Sequence, residues 1–145
     1  MGRINWARKN LGDLMKNSHQ ENTQLQRVTY PFEKLDRGDV VWTTVGYQEE
    51  ISKNERTIVG KRPCVILSEK KFHKLFGVVI AIPITHGNQF PKANVEITSV
   101  PDIDGFAKTH QLKSVDIKRR GYSYAGKINN AELGKILSIT QAFFK

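Results

Sequence analysis

Two polar residues stand directly against the two most apolar stretches of the chain. Arg62, in Lys61-Arg62-Pro63, introduces CVIL, and Thr85, in Thr85-His86-Gly87, closes VVIAIPI. Both stretches are short and rich in β-branched residues, which suits strands covered on two sides rather than helices. If they pair antiparallel, the start of one lies beside the end of the other, and Arg62 and Thr85 reach the same rim of a sheet. A guanidinium, with its planar fork of donors, and a hydroxyl at that rim would bind one phosphate. An arginine ahead of a strand is usually just a solvated residue, and spacing alone leaves both readings open.

Other reactive machinery is missing from the pattern. There is no phosphate-cradling Gly-rich loop, no paired histidines at metal-ligand spacing and no Gly-flanked serine elbow. The four histidines, His19, His73, His86 and His110, stand singly, and the single cysteine, Cys64, excludes a multi-thiolate metal site and an intramolecular disulfide. Cys64 is expected to pack as a small apolar residue. No metal and no cofactor are expected. The 23 Lys and Arg against 14 Asp and Glu give a net charge of +9, which directs the molecule toward polyanions and makes nucleic acid the first partner to test. No apolar run approaches the roughly 18 residues of a membrane span, and the N-terminus lacks the uninterrupted apolar core of an export signal. A cytoplasmic protein without a membrane partner is expected.

The elements that must position Arg62 and Thr85 follow from the same patterning. Ile4, Ala7, Leu11, Leu14 and Met15 gather on one side of a helix over residues 4 to 15, followed by the polar stretch NSHQENTQLQ. Residues 1–33 are therefore read as a helical extension with a linker, and 34–145 as the domain proper. GDVVWTTV opens that domain as a strand, and the polar run from Gly46 to Arg62 reads as a long loop. PCVILS and GVVIAIPI form the central strands, while NVEIT, HQLKSVDI and GYSYAGKI supply further ones. The clearest helix closes the chain. Asn129 can cap it, Glu132 stands three residues on in a capping box, and Leu133, Ile136, Leu137, Thr140 and Phe144 keep helical spacing. Strands joined by loops and a closing helix predict a mainly β, α+β domain with a strongly bent sheet or partial barrel.

The series RGDVVW at 37 to 42, GKRPCVILS at 60 to 68, GVVIAIPITHG at 77 to 87 and HQLKSVDIKRR at 110 to 120, followed by the terminal helix, resembles the PemK/MazF toxin family in order and spacing. The resemblance covers about residues 34 to 145. It implies an SH3-like small barrel of the PemK/CcdB type, a homodimer, an antitoxin that blocks it, and metal-independent cleavage of single-stranded RNA at short recognition sequences. In that family the Arg of the RP motif and the Thr of the PIT motif are the reactive pair, which fall here on Arg62 and Thr85. The run His110-Gln111-Leu112-Lys113-Ser114 matches a segment that lies near the site or the RNA groove in relatives.

Metal-free RNA cleavage uses the ribose 2′-hydroxyl as nucleophile, so one proton must be removed, another supplied, and charge on the phosphate oxygens stabilised. Arg62 suits the last task and is a poor proton acceptor. His86 is the neighbour whose side-chain type titrates near neutrality, with His110 as a second candidate for proton transfer. In an extended chain His86 and Thr85 would point to opposite faces, which leaves contact with RNA or solvent as the other role for His86. Lys61, Gln111, Lys113, Ser114, Arg119 and Arg120 are candidate RNA contacts. Lys118-Arg119-Arg120 with Tyr122 and Tyr124 reads equally as a backbone-gripping patch or as a charged turn beside sheet-packing tyrosines. Trp42 is expected in the core or at a dimer contact.

Two departures from the family pattern stand out. The loop before the RP motif is longer than usual and only loosely similar, with Gln48 and Glu49 the nearest counterparts of its usual polar run, and His110 stands where many relatives carry Asp. These departures support an alternative, a non-catalytic relative that binds RNA or a protein. A gyrase poison resembling the CcdB branch is a third reading, disfavoured because the chain ends in Ala-Phe-Phe-Lys rather than Trp-Gly-Ile.

Overall fold

The computed structural model describes residues 30–46 and 60–145. The chain divides into two units, Met1–Pro31 and Phe32–Lys145, and the fold below is that of the second. The expected helix over residues 4 to 15, the polar stretch behind it, and residues 47–59 of the expected long loop lie outside the described residues.

A 3-10 turn, Phe32–Lys34, leads into β1 (Asp39–Val45), β2 (Gly60–Ile66), α1 (Lys70–Phe76), β3 (Val79–Thr85), β4 (Asn94–Ile97), β5 (Gly105–Lys108), β6 (Lys113–Val115), the single-turn α2 (Ile117–Arg120), β7 (Tyr122–Lys127) and α3 (Asn130–Ala142). The seven strands among the described residues form one antiparallel sheet in the order β4-β5-β3-β2-β1-β7, with β6 also on β3. The two apolar runs are thus adjacent and central, as their patterning predicts. β3 shares its far edge between two partners: β6 pairs with Val79–Ala81 and β5 with Ile84 and Thr85.

Several bounds differ from the sequence expectation. β2 starts at Gly60 rather than Pro63, because Lys61 and Arg62 pair with Thr44 and Thr43 while their side chains stay at the surface. Of HQLKSVDI only Lys113–Val115 is extended; His110 and Gln111 form a turn, and Ile117 begins α2. α1 and β5 carry too few apolar positions to show as elements, and α1 ends where Gly77 takes φ 74. Phe144 lies beyond the end of α3.

The sheet rolls until its two ends approach. Val40 pairs with Gly126 but Val41 pairs with Tyr124, so a bulge bends β7. Gly126 sits at φ 144, where a Cβ would meet Val100 Cγ1, just after β4, at 2.9 Å. The interior is filled from both sides of that seam, by Val40, Val65, Ile82, Ile84, Val95, Ile97, Val100, Ala107 and Ile128 with Ile136 of α3, and Trp42 packs against it half-buried.

Two buried polar groups fix the helices. Asn129 caps α3 by accepting from Glu132 N at 2.8 Å. The Glu132 carboxylate does not close the capping box directly but accepts from Thr98 N, Thr98 Oγ1 and Ser99 Oγ, and Ser99 Oγ in turn accepts from Asn129 N. The helix start is thereby bolted to the end of β4. His73, on α1, is buried between Ser68 and the backbone of Leu35, with Nε2 2.7 Å from Ser68 Oγ and Nδ1 3.1 Å from Leu35 O. Since a carbonyl can only accept, Nδ1 carries the proton; Nε2 then accepts from Ser68, whose oxygen also accepts from Ile80 N.

Candidate active site

Arg62 is the third residue of β2 and Thr85 the last of β3. Cys64 pairs with Pro83, so continuing that register two residues outward sets Arg62 opposite Thr85. Directly paired residues share a face. The same rule puts Thr43, Tyr122 and Phe106 on this face, because Thr43 pairs with both Arg62 and Tyr122, and Thr85 with Phe106. Arg62 and Thr85 also border a cleft of about 310 Å³ at the sheet rim, but its other strand residues, the half-buried Trp42, Lys61, Pro63 and Ile84, alternate with them and face the opposite side of the sheet. The guanidinium curls over Gly60 and donates to Lys61 O at 2.9 Å, which leaves most of its five donors for a ligand.

Thr85 is held by an unusually close neighbour. Gly105 opens β5 at φ 128, and a Cβ there would stand 2.8 Å from Thr85 O. Only glycine lets β5 approach so closely.

The sequence candidates divide between this cleft and its surroundings. His86 lines the cleft with Lys61, Pro63 and Ile84, in a bend that follows the last residue of β3. Lys113 pairs with Ala81, and Ser114 with Ile80, along β6. Lys113 and Arg62 both act on Cys64: burial pushes its thiol up to about 12, and the two nearby cations oppose that rise. Cys64 is therefore an inert packing residue beneath the face that Arg62 and Lys113 share.

His110 and Gln111 lie in the turn between β5 and β6 and do not line the cleft. His110 meets the exposed Phe90 edge-on, with ring centres 5.2 Å apart. Arg119 and Arg120 belong to α2, also outside the cleft lining. Asp116 accepts from Arg119 N, and the Arg120 guanidinium donates to Thr44 O at 2.8 Å and Gly46 O at 2.7 Å, so it holds the end of β1. Lys118 stands over the Phe32 ring.

Three residues near the site escaped sequence reasoning. Lys108 is buried on β5, 5.6 Å from the centre of the Phe106 ring, and loss of water around it lowers its hold on a proton. Its signal was a lysine alternating with Phe106 in GFAK, a strand too short to recognise. Asp102 and Asp104 enter the cleft from the β4–β5 connection, and Asp104 Oδ1 lies 3.3 Å from His86 Nε2. Nothing in their sequence context marks them. Among the described residues no three His, Cys, Asp or Glu side chains converge to hold a metal ion, and no helix is long and apolar enough to cross a membrane.

A rolled antiparallel sheet, closed by a C-terminal helix and carrying an arginine–threonine pair where its two central strands end, defines the class: a small single-sheet α+β protein with a rim site. The family model for PemK-like, MazF-like toxins of type II toxin–antitoxin systems matches residues 36–144, and the chain belongs to that family. The fold is similar to that of MazF from Deinococcus radiodurans, with a TM-score of 0.66 and 17% identity over 76% of this chain and 96% of that one. It is also similar to a MazE–MazF structure from the same organism, with a TM-score of 0.62 and 19% identity over 76% and 95% of the two chains. A mycobacterial endoribonuclease in complex with its cognate antitoxin aligns at a TM-score of 0.60 and 18% identity, over 76% of this chain and 94% of that one. No curated protein sequence gives a significant match.

Proposed function

We propose that this protein is an endoribonuclease toxin that cleaves single-stranded RNA in the cytoplasm without a metal ion and is neutralised by a cognate antitoxin. The observation that carries the reading is the β2–β3 register, which continued outward from Cys64 and Pro83 brings Arg62 and Thr85 side by side on one face at the sheet rim. Membership of a toxin family and the likeness to an endoribonuclease solved with its antitoxin support it.

Each group has a task that its chemistry fits. Arg62 binds two oxygens of the scissile phosphate and stabilises the charge that grows on them as the 2′-oxygen attacks. Thr85 donates a hydrogen bond to the same phosphate or orients the attacking hydroxyl. Lys61, beside Arg62 on the rim, and Lys113, on the shared face, attract the neighbouring phosphates. Lys108 adds a partly desolvated cation on the Thr85 side. The protein acts as a homodimer in this reading.

The test is incubation of the purified protein with mixed single-stranded RNA in chelator, beside Arg62→Ala, with mapping of the ends. Cyclic-phosphate ends that fall by at least about a hundredfold in the variant are expected. RNA that stays intact while still bound would overturn the enzymatic reading in favour of a binding module.

A further inference from the structure

The row that joins Arg62 to Thr85 continues onto β5. Thr85 pairs with Phe106, so one strand spacing of about 4.8 Å separates the threonine from the half-buried phenylalanine, on the face that Arg62 shares. Lys108 follows two residues along the same strand and keeps that face, and its ammonium stands 5.6 Å from the centre of the Phe106 ring. A ring and a cation therefore lie together on the Thr85 side of the pair.

Lys108 is unfavourable where it stands. It is only 6% exposed, and among the described residues no carboxylate pairs with it. Burial of a cation without a counter-ion opposes folding, and the loss of water around Lys108 weakens its hold on a proton. A phosphate brought to the ammonium supplies the missing charge. The neighbouring strand sets which part of a nucleotide goes where. Glu96, exposed on β4, pairs with Phe106 and repels phosphate from the outer flank of the ring, while Asn94, which pairs with Lys108, is uncharged. The position over Lys108 thus suits a phosphate, and the position over Phe106 an uncharged base. Rings interleaved with cations are the general means by which proteins hold single strands.

We propose that Phe106 and Lys108 form a nucleotide subsite beside the Arg62–Thr85 pair, in which Phe106 stacks the base of a nucleotide flanking the cleaved bond and Lys108 binds the next phosphate along. This rests on the RNA-cleaving reading above and extends it from the broken bond to the strand that carries it. Stacking on a ring accepts any base, so the subsite holds the strand in place without reading its sequence.

The experiment uses a short single-stranded RNA that spans the bond cleaved by the native protein, either intact or lacking the base on one side of that bond or the other. Its affinity is measured for Arg62→Ala, in which the strand is expected to stay whole, alone and combined with Phe106→Leu, Phe106→Tyr or Lys108→Met. Phe106→Leu is expected to weaken binding about tenfold, and Phe106→Tyr to leave it near the Arg62→Ala value. Removal of one of the two bases should weaken binding to Arg62→Ala by the same factor and binding to the Phe106→Leu protein no further, because both changes delete one contact. Lys108→Met, which keeps the apolar stem, should make the slope of log affinity against log salt shallower by about 0.7, the share of one phosphate on a single strand. Undiminished affinity in Phe106→Leu, base and ring losses that multiply, or an unaltered salt slope in Lys108→Met overturns the inference and leaves the RNA-cleaving reading standing. A native protein that cleaves no RNA takes down both.

Discussion

Thr85 owes its place to a residue that does no chemistry. Gly105 has no Cβ, and that absence lets its strand run against the Thr85 carbonyl at a distance no other residue permits. Gly105→Ala is expected to cost about 1–3 kcal/mol of stability and to displace Thr85, with cleavage falling further than the melting curve alone would account for. Denaturant melts and cleavage rates on the same samples check this; a variant as stable and as active as the native protein contradicts the assigned contact. At this scale the site was half legible. Arg62 and Thr85 could be found because each stands at the end of an apolar run, where strand pairing dictates who meets whom. Asp102, Asp104 and Lys108 could not, because a turn and a four-residue strand bring them in, and neither leaves a periodic trace.

Among the elements, α1 carries a buried titratable group. Burial, the dominant influence, lowers the proton affinity of His73, while the Leu35 and Ser68 hydrogen bonds and the charges of Asp36 and Asp39 pull the other way. In the unfolded chain the ring titrates near the ordinary value of about 6.5. Below that point the unfolded state therefore binds more protons than the native one, and stability falls as pH drops. The His73 contribution is full above about 6.5 and drains as the pH descends through the lowered native value. Urea midpoints measured down through mildly acid pH should fall, and the fall should flatten in His73→Gln. An equal slope in both proteins would exclude the ring as its source. α1 was invisible in the sequence because KKFHKLF is one short polar-rich run, whereas α3 announced itself by cap and stripe. What the sequence could not show of α3 is that Glu132 reaches across to β4 instead of back to its own cap.

Over the whole molecule, the sequence carries an excess of nine positive charges, and the ends of its sheet nearly touch at Gly126 and Val100. Composition disclosed the charge and patterning the bent sheet, but the seam depends on one bulge and one glycine that pairing alone reveals. RNA binding by the Arg62→Ala variant, in which cleavage is expected to be disabled, should weaken as salt rises. If three or four phosphates are engaged, the logarithmic slope is about −2 to −3, as expected for single strands. A binding constant indifferent to salt would refute the polyanion reading of the charge.

The placement of Cys64 has a practical consequence. It is the chain's single thiol, fully buried, pushed up to about 12 and carried on the strand of Arg62, two residues away. Alkylating reagents can reach it only when that strand detaches, so the labelling rate is a clock for opening of the site's own scaffold. If a bound antitoxin or RNA locks β2 in place, the clock slows, and the protein reports its own inhibition without an added probe.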